Sequence, residues 1–216
     1  MFKRNKVAMI VAEFLGTALL TLVVLAVSKS TIGIPYFVAI GAGIAVGAGV
    51  LIFGPVSGAQ LNPAITIGLW SARRIKTLPA IVYIAAQLLG GVAAYWLFTY
   101  FANQHWANSG HYSGHVLVAE ATGAFVYGMA WAALSYHKLE DSRAAALLSV
   151  AFTVGIIVAS ASASGLLNPA VALGLRMWGW GTYVLGPILG AVIGVNVYSL
   201  LFAPVEGGTK ISSKKK

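Results

Sequence analysis

The residues of this chain that could do chemistry come in pairs. Asn62-Pro63-Ala64 returns as Asn168-Pro169-Ala170, each time after a leucine, Leu61 or Leu167. A lone carboxylate in an apolar setting precedes each: Glu13 within Ala-Glu-Phe-Leu-Gly (12–16) and Glu120 within Ala-Glu-Ala-Thr-Gly (119–123). Glu13 lies 49 residues before Asn62, and Glu120 lies 48 before Asn168. An asparagine amide donates and accepts hydrogen bonds without carrying charge, which suits the handling of neutral polar species. Catalytic equipment is missing. No cysteine is present, which excludes a disulfide framework, a thiolate nucleophile and a Cys-ligated metal. No Ser/His/Asp set is evident at apolar depth, so neither an enzyme nor a cofactor is expected. His105, His111 and His115 fall in a glycine-containing stretch, ANQHWANSGHYSGH (102–115). His-x₃-His needs a helix to bring two rings onto one metal, and the glycines argue against one there. The stretch reads as a solvated loop. The alternative is a loop that dips inward and lends polar groups from Tyr112 or His115.

Composition shows what must position these residues. Of 216 residues, 59% are apolar and 9% charged, with a mean hydropathy of +0.85. A soluble domain is about a quarter charged, so this chain has too little polar surface to cover a globule in water. Six apolar stretches, roughly 7–27, 34–53, 79–101, 116–136, 144–163 and 181–203, each approach the ~20 residues that a helix needs to cross hydrocarbon. Runs such as LLTLVVLAV (19–27) do not alternate, which excludes barrel strands. The first stretch follows KRNK but is too long for a signal-peptide core and contains Glu13, so it reads as a retained helix. With the N-terminus inside, Lys3, Arg4, Lys6, Arg73, Arg74, Lys76, Lys138, Arg143, Lys210 and Lys214 to Lys216 lie on the cytoplasmic side. Only Lys29 and Arg176 lie outside. The bias, 12 of 14 cations, places both termini in the cytoplasm of a multi-pass protein of the cell membrane. It also accounts for the net charge of +9 and the basic tail 204–216 without a nucleic-acid partner.

A third pair of landmarks, Gln87-Leu88-Leu89-Gly90-Gly91-Val92 and Pro187-Ile188-Leu189-Gly190-Ala191-Val192, follows the other two in the same order. The chain is therefore a duplication, repeat 1 over about 7–101 and repeat 2 over about 116–203, within one transmembrane domain spanning 1–216. Three spans per repeat make the repeats inverted about an axis in the membrane plane. Gly186, Gly190 and Gly194, matched by Ala86, Gly90 and Ala94, form ladders that let backbones approach closely in lipid. The stretches 54–70 and 164–176 are too short to span. Asparagine suits the N-cap and proline the first helical position, so each reads as a loop followed by a re-entrant half-helix. Irregular backbone at that depth is tolerated where it is buried in protein or lines a watery cavity.

These motifs carry a resemblance. The two Asn-Pro-Ala repeats, the lead-in Ser57-Gly58-Ala59-Gln60-Leu61, Glu13, Glu120 and Gly186-Pro187-Ile188-Leu189-Gly190 resemble the aquaporins, or major intrinsic proteins, over essentially the whole chain. The resemblance implies an all-α membrane fold of six transmembrane helices plus two half-helices, one pore per subunit and a homotetramer. It also implies that Glu13 and Glu120 brace the loops rather than move protons. Asn62, Pro63 and Ala64 with Asn168, Pro169 and Ala170 would form the pore midplane. Two half-helix N-termini meeting there would repel cations. The asparagine amides would orient a passing water and interrupt a proton relay.

One departure stands out. Most of the family places arginine directly after the second motif, where this chain has Val171; Arg176 matches a second family arginine further on. Carried over by spacing, the outer filter is Ala42, Ile156, Gly165 and Val171, with no charge, aromatic ring or strong donor. Such a mouth should be wide and apolar, passing water and small neutral solutes of glycerol size. The alternatives are a channel for another neutral solute such as ammonia, a weakly ion-leaky pore, or a secondary transporter.

Overall fold

A computed structural model describes residues 4–30, 34–103, 105, 111–137 and 139–204. Lys3, Lys138, the loop residues 106–110 and all of the basic tail beyond Pro204 lie outside the described residues. The fold is all-helical: α1 (Arg4–Lys29), α2 (Pro35–Ser57), α3 (Pro63–Ser71), α4 (Thr77–Ala102), α5 (Gly114–His137), α6 (Asp141–Ala159), α7 (Pro169–Gly174) and α8 (Gly186–Leu201). A π-helical turn at Gly181–Leu185 leads into α8. Six of these helices are long and apolar enough to cross a membrane, the last running from Gly181 to Leu201. The short α3 and α7 are the re-entrant half-helices.

Two boundaries differ from the sequence reading. Gly54-Pro55 looked like the start of the first re-entrant loop, yet α2 runs through Pro55 to Ser57 and ends on Gly58 at φ +89°. Proline removes one helical hydrogen bond, and neighbouring helices in a membrane bundle tolerate that loss. In the second repeat α6 stops at Ala159 rather than 163, giving way to turns through Ser160 and Ser162, whose hydroxyls compete for backbone partners.

The repeats interlock. α1 packs on α4 and α5 on α8 within each repeat, and α2 packs on α6 between them. Each half-helix seats against the third spanning helix of the other repeat, α3 on α8 and α7 on α4. The small-residue ladders are where backbones meet. A Cβ on Gly190 would run into the carbonyl of Ala121, one on Gly194 into that of Phe125, and one on Gly90 into that of Phe14. With six crossings, Arg4 and Pro204, the first and last described residues, lie on one face, the terminal face. The first re-entrant loop follows α2 in from that face, and the second follows α6 in from the opposite one.

Candidate functional site

Each re-entrant loop is held in a conformation that a free chain avoids. Leu61 has φ +52° and Leu167 φ +51°, and three positions before each asparagine Ala59 has φ +50° and Gly165 φ +65°. A non-glycine residue in this left-handed region costs about 1–3 kcal/mol and persists only where surrounding contacts over-determine it. Two kinds of contact do so. The leucine side chain wedges between two glycines, Leu61 between Gly16 and Gly49, and Leu167 between Gly123 and Gly155. A buried carboxylate then collects the loop N–H groups. Glu13 Oε2 accepts from Leu61 N at 2.8 Å and its Oε1 from Gln60 N at 3.0 Å. Glu120 accepts from Leu166 N at 3.0 Å and Leu167 N at 2.7 Å. Both carboxylates thus accept hydrogen bonds from the loop backbone.

The two braces are not equal. Glu13 also accepts from Ser57 Oγ at 2.7 Å and Gln87 Nε2 at 2.8 Å. Gln87 in turn bonds Thr66, and the Tyr83 hydroxyl donates to the Ser57 carbonyl at 3.0 Å. The second repeat has Ala163, Ala172 and Pro187 where the first has Ser57, Thr66 and Gln87. Gln87 served the sequence reading only as a repeat landmark. Its pairing with Pro187 was the available sign that its amide does something its mate cannot.

The asparagines meet as a reciprocal pair. Asn62 Nδ2 donates to the carbonyl of Leu167 at 2.9 Å, and Asn168 Nδ2 donates to the carbonyl of Leu61 at 2.8 Å. Each Oδ1 caps its own half-helix, accepting from Ala64 N at 2.9 Å in one and from Ala170 N at 3.0 Å in the other. Pro63 and Pro169 fill the first helical positions. An amide NH₂ has two hydrogens. One is spent on the opposite loop, which leaves each amide a second N–H, and the leucine carbonyls are partly used up as acceptors. The half-helix N-termini, each carrying up to about +0.5 of an elementary charge, point at this pair.

The outer positions are apolar and buried. Ala42 on α2 is 0% exposed, Ile156 on α6 2% and Val171 in the first turn of α7 1%. Gly165 lies directly against Ile156: a Cβ there would sit 2.8 Å from Ile156 Cγ2. Gly165 and Ile156 therefore pack directly on one another, with no room for a side chain between them. Arg176 does not stand in for the missing cation. Its guanidinium donates to Tyr95 Oη at 3.1 Å and lies over the Tyr95 and Trp178 rings.

His105, His111, Tyr112 and His115 are all exposed. No group of three metal-ligating side chains occurs among the described residues. His115 opens on a hollow of about 680 Å³ between α5 and α6. Tyr112 lies against Gly181, and Ser113 N donates to Thr182 Oγ1 at 3.2 Å, which pins this end of the loop to the π-helical turn.

Known proteins resemble this chain in sequence and in fold. Residues 2–198 match the family model described as "Major intrinsic protein". Aquaporin AqpM of Methanothermobacter thermautotrophicus is 30% identical, with 78% of each chain covered. Aquaporin TIP3-2 of Zea mays is 35% identical over 69% of this chain and 61% of its own. Aquaporin-5 of Rattus norvegicus is 28% identical over 77% and 69%. The fold superposes on the aquaglyceroporin of Plasmodium falciparum with a TM-score of 0.78 at 21% identity, covering 91% of this chain and 96% of that one.

Proposed function

The chain belongs to the major intrinsic protein family, and from that premise we propose that it is a passive channel for water and for neutral solutes of glycerol size. The supporting observation is the reciprocal asparagine pair on a path whose outer positions carry no charge or strong donor. A water arriving at the midplane accepts the remaining N–H of Asn62 and Asn168 and turns its own hydrogens away. It then cannot pass a proton along the file. Cations meet the positive ends of two half-helices where water is sparse and charge interactions are strong. Neutral hydroxyl-bearing solutes meet no such barrier.

At the outer ring of Ala42, Ile156, Gly165 and Val171, an arginine would have supplied a fixed charge and several N–H donors. Valine supplies neither, so a solute meets only apolar groups there. The ring then yields to a solute larger than water. In this reading residues 1–216 form one channel domain in the cell membrane with both termini cytoplasmic, working as a homotetramer whose subunits each carry a pore. Ammonia as the main solute and a weak ion leak follow from the same missing arginine. A secondary transporter would need a coupling-ion site at the midplane, where this chain presents amides and apolar side chains.

Stopped-flow light scattering on proteoliposomes tests the proposal. Water and glycerol should both cross faster than in protein-free vesicles, with linear concentration dependence. Water flux with no glycerol flux defeats the solute assignment, and saturable, ion-dependent uptake defeats the channel.

A further inference from the structure

Arg176 has no counter-charge among the described residues. It follows α7 with φ +55°, a left-handed conformation that a non-glycine residue keeps only where contacts fix it. Its contacts run to α4 and to the chain just beyond: the guanidinium donates to Tyr95 Oη at 3.1 Å and lies 5.3 Å from the Tyr95 ring and 5.6 Å from the Trp178 ring. A guanidinium has five N–H donors, and a single one is engaged here. The carboxylates are all elsewhere. Glu13 and Glu120 are taken by the re-entrant loops, Glu140 and Asp141 stand at the start of α6 on the terminal face, and Glu206 lies outside the described residues. Arg176 is half-buried on the opposite face. A charge partly withdrawn from water without a partner is costly, and an anion supplied from outside the chain relieves that cost.

Beside the guanidinium is a cavity of about 270 Å³, lined by Val92, Tyr95 and Trp96 of α4, Leu173 of α7, Arg176 and Trp178. Its rim fixes its depth in the bilayer. Trp96, Tyr100, Trp178 and Trp180 are exposed, and such rings gather at the level of the lipid headgroups. Trp96 is six residues, about 9 Å, before the end of α4. The cavity therefore lies just under the membrane surface, where phospholipid phosphates join their acyl chains. Val92, one turn deeper on α4, and Leu173, three residues back along α7, continue it as an apolar wall toward the bilayer centre.

We propose that this cavity is a phospholipid site. Arg176 binds the phosphodiester of a lipid in the leaflet opposite the terminal face, and one acyl chain runs past Val92 and Leu173. The headgroup follows from the charges. No described carboxylate stands on this face, so a headgroup ammonium finds no partner there, and the site takes an anionic lipid such as phosphatidylglycerol ahead of a zwitterionic one. Guanidinium can pair two N–H donors with a phosphate while stacking on aromatic rings. The bound lipid ties the outlet of α7 to α4, the helix on which the second half-helix is seated.

The test uses full-length protein in detergent micelles, titrated with dioleoyl phosphatidylglycerol, dioleoyl phosphatidylcholine, dioleoylglycerol or inorganic phosphate and read by native mass spectrometry. Phosphatidylglycerol should bind at one tight site per subunit, at least about fivefold more tightly than phosphatidylcholine. Dioleoylglycerol, which lacks the phosphate, and inorganic phosphate, which lacks the chains, should each bind at least about tenfold more weakly. Arg176→Gln should bring phosphatidylglycerol down to the level of phosphatidylcholine. Arg176→Lys, a second variant in case the first fails to assemble, keeps the charge without the paired donors and should lose a large part of the preference. Lys76→Gln, on the terminal face, should leave the preference intact. A preference unchanged in the Arg176 variants overturns the site, and so does an equal loss in Lys76→Gln, which would make it a property of overall charge. Inorganic phosphate bound as tightly as the lipid overturns the lipid assignment. A change of oligomeric mass in the Arg176 variants would make the cavity a contact between copies of the chain and overturn it too.

Discussion

At the residue scale, the decisive contrast is between Glu13, with two backbone and two side-chain donors, and Glu120, with only backbone donors identified. A glutamine at position 120 has one acceptor oxygen, so its NH₂ must face either the Leu166 or the Leu167 N–H. A buried N–H left unpaired costs about 1–3 kcal/mol. Glu120→Gln should lower stability by that amount in a thermal unfolding assay in detergent and reduce water flux per folded protein. Gln87→Leu removes one donor from Glu13 and leaves three, a state close to what the second repeat tolerates with Pro187. It should cost less, about 1 kcal/mol. Asn168→Asp tests the midplane. The variant loses the N–H that reaches the Leu61 carbonyl and adds a full negative charge where two half-helix ends supply about +1 together. Water flux should fall and a cation or proton leak should appear, read with a pH-sensitive dye in vesicles under a potassium diffusion potential. An Asn168→Asp channel as proton-tight as wild type would show that the half-helix charge is not the barrier.

At the element scale, the half-helices hold their position through contacts with the other repeat. A Cβ on Gly91 of α4 would strike the carbonyl of Ala170, two residues past Asn168. Gly91→Ala should therefore cost about 1–3 kcal/mol and disturb the pore from a site distant in sequence. At Gly54 the nearest atom to an added Cβ is Val50 Cγ1 at 3.8 Å, an ordinary contact, so Gly54→Ala should be neutral in both stability and water flux. The same interlocking explains what the sequence disclosed and what it withheld. The spans were legible because hydrocarbon demands ~20 apolar residues whatever their neighbours are. The half-helices were legible because an Asn-Pro start has its own local chemistry. The passage of α2 through Pro55, the π-helical turn before α8 and the Gln87–Thr66–Ser57 support around Glu13 depend on which helix lies beside which. At the outer positions, spacing named Ala42, Ile156, Gly165 and Val171, while the direct packing of Gly165 on Ile156 depends on how the loop folds back on α6.

At the scale of the whole molecule, charge and apolar surface divide the labour. The flanks that meet lipid are apolar, with Tyr100 and Leu200 each 83% exposed, and they cannot by themselves say which face is inside. The cations can. Lys6, Arg73, Arg74, Lys76 and Arg143 lie at helix ends on the terminal face, whereas Lys29 and Arg176 lie on the other. Over the full sequence the division is twelve to two. Short-loop lysines and arginines set orientation collectively, so the balance should survive partial loss. Arg74 is a poor choice for such a test because it stacks on Tyr136 at 3.6 Å and its removal would also disturb packing. Arg73→Gln combined with Lys76→Gln leaves ten cations against two. A fluorescent protein fused at the C-terminus should then remain bright, and alkaline phosphatase fused after Tyr112 should remain active, as in the unaltered chain. Phosphatase activity from a C-terminal fusion would place the terminal face outside. The first re-entrant loop would then enter from the exterior, and Val171 would guard the inner mouth.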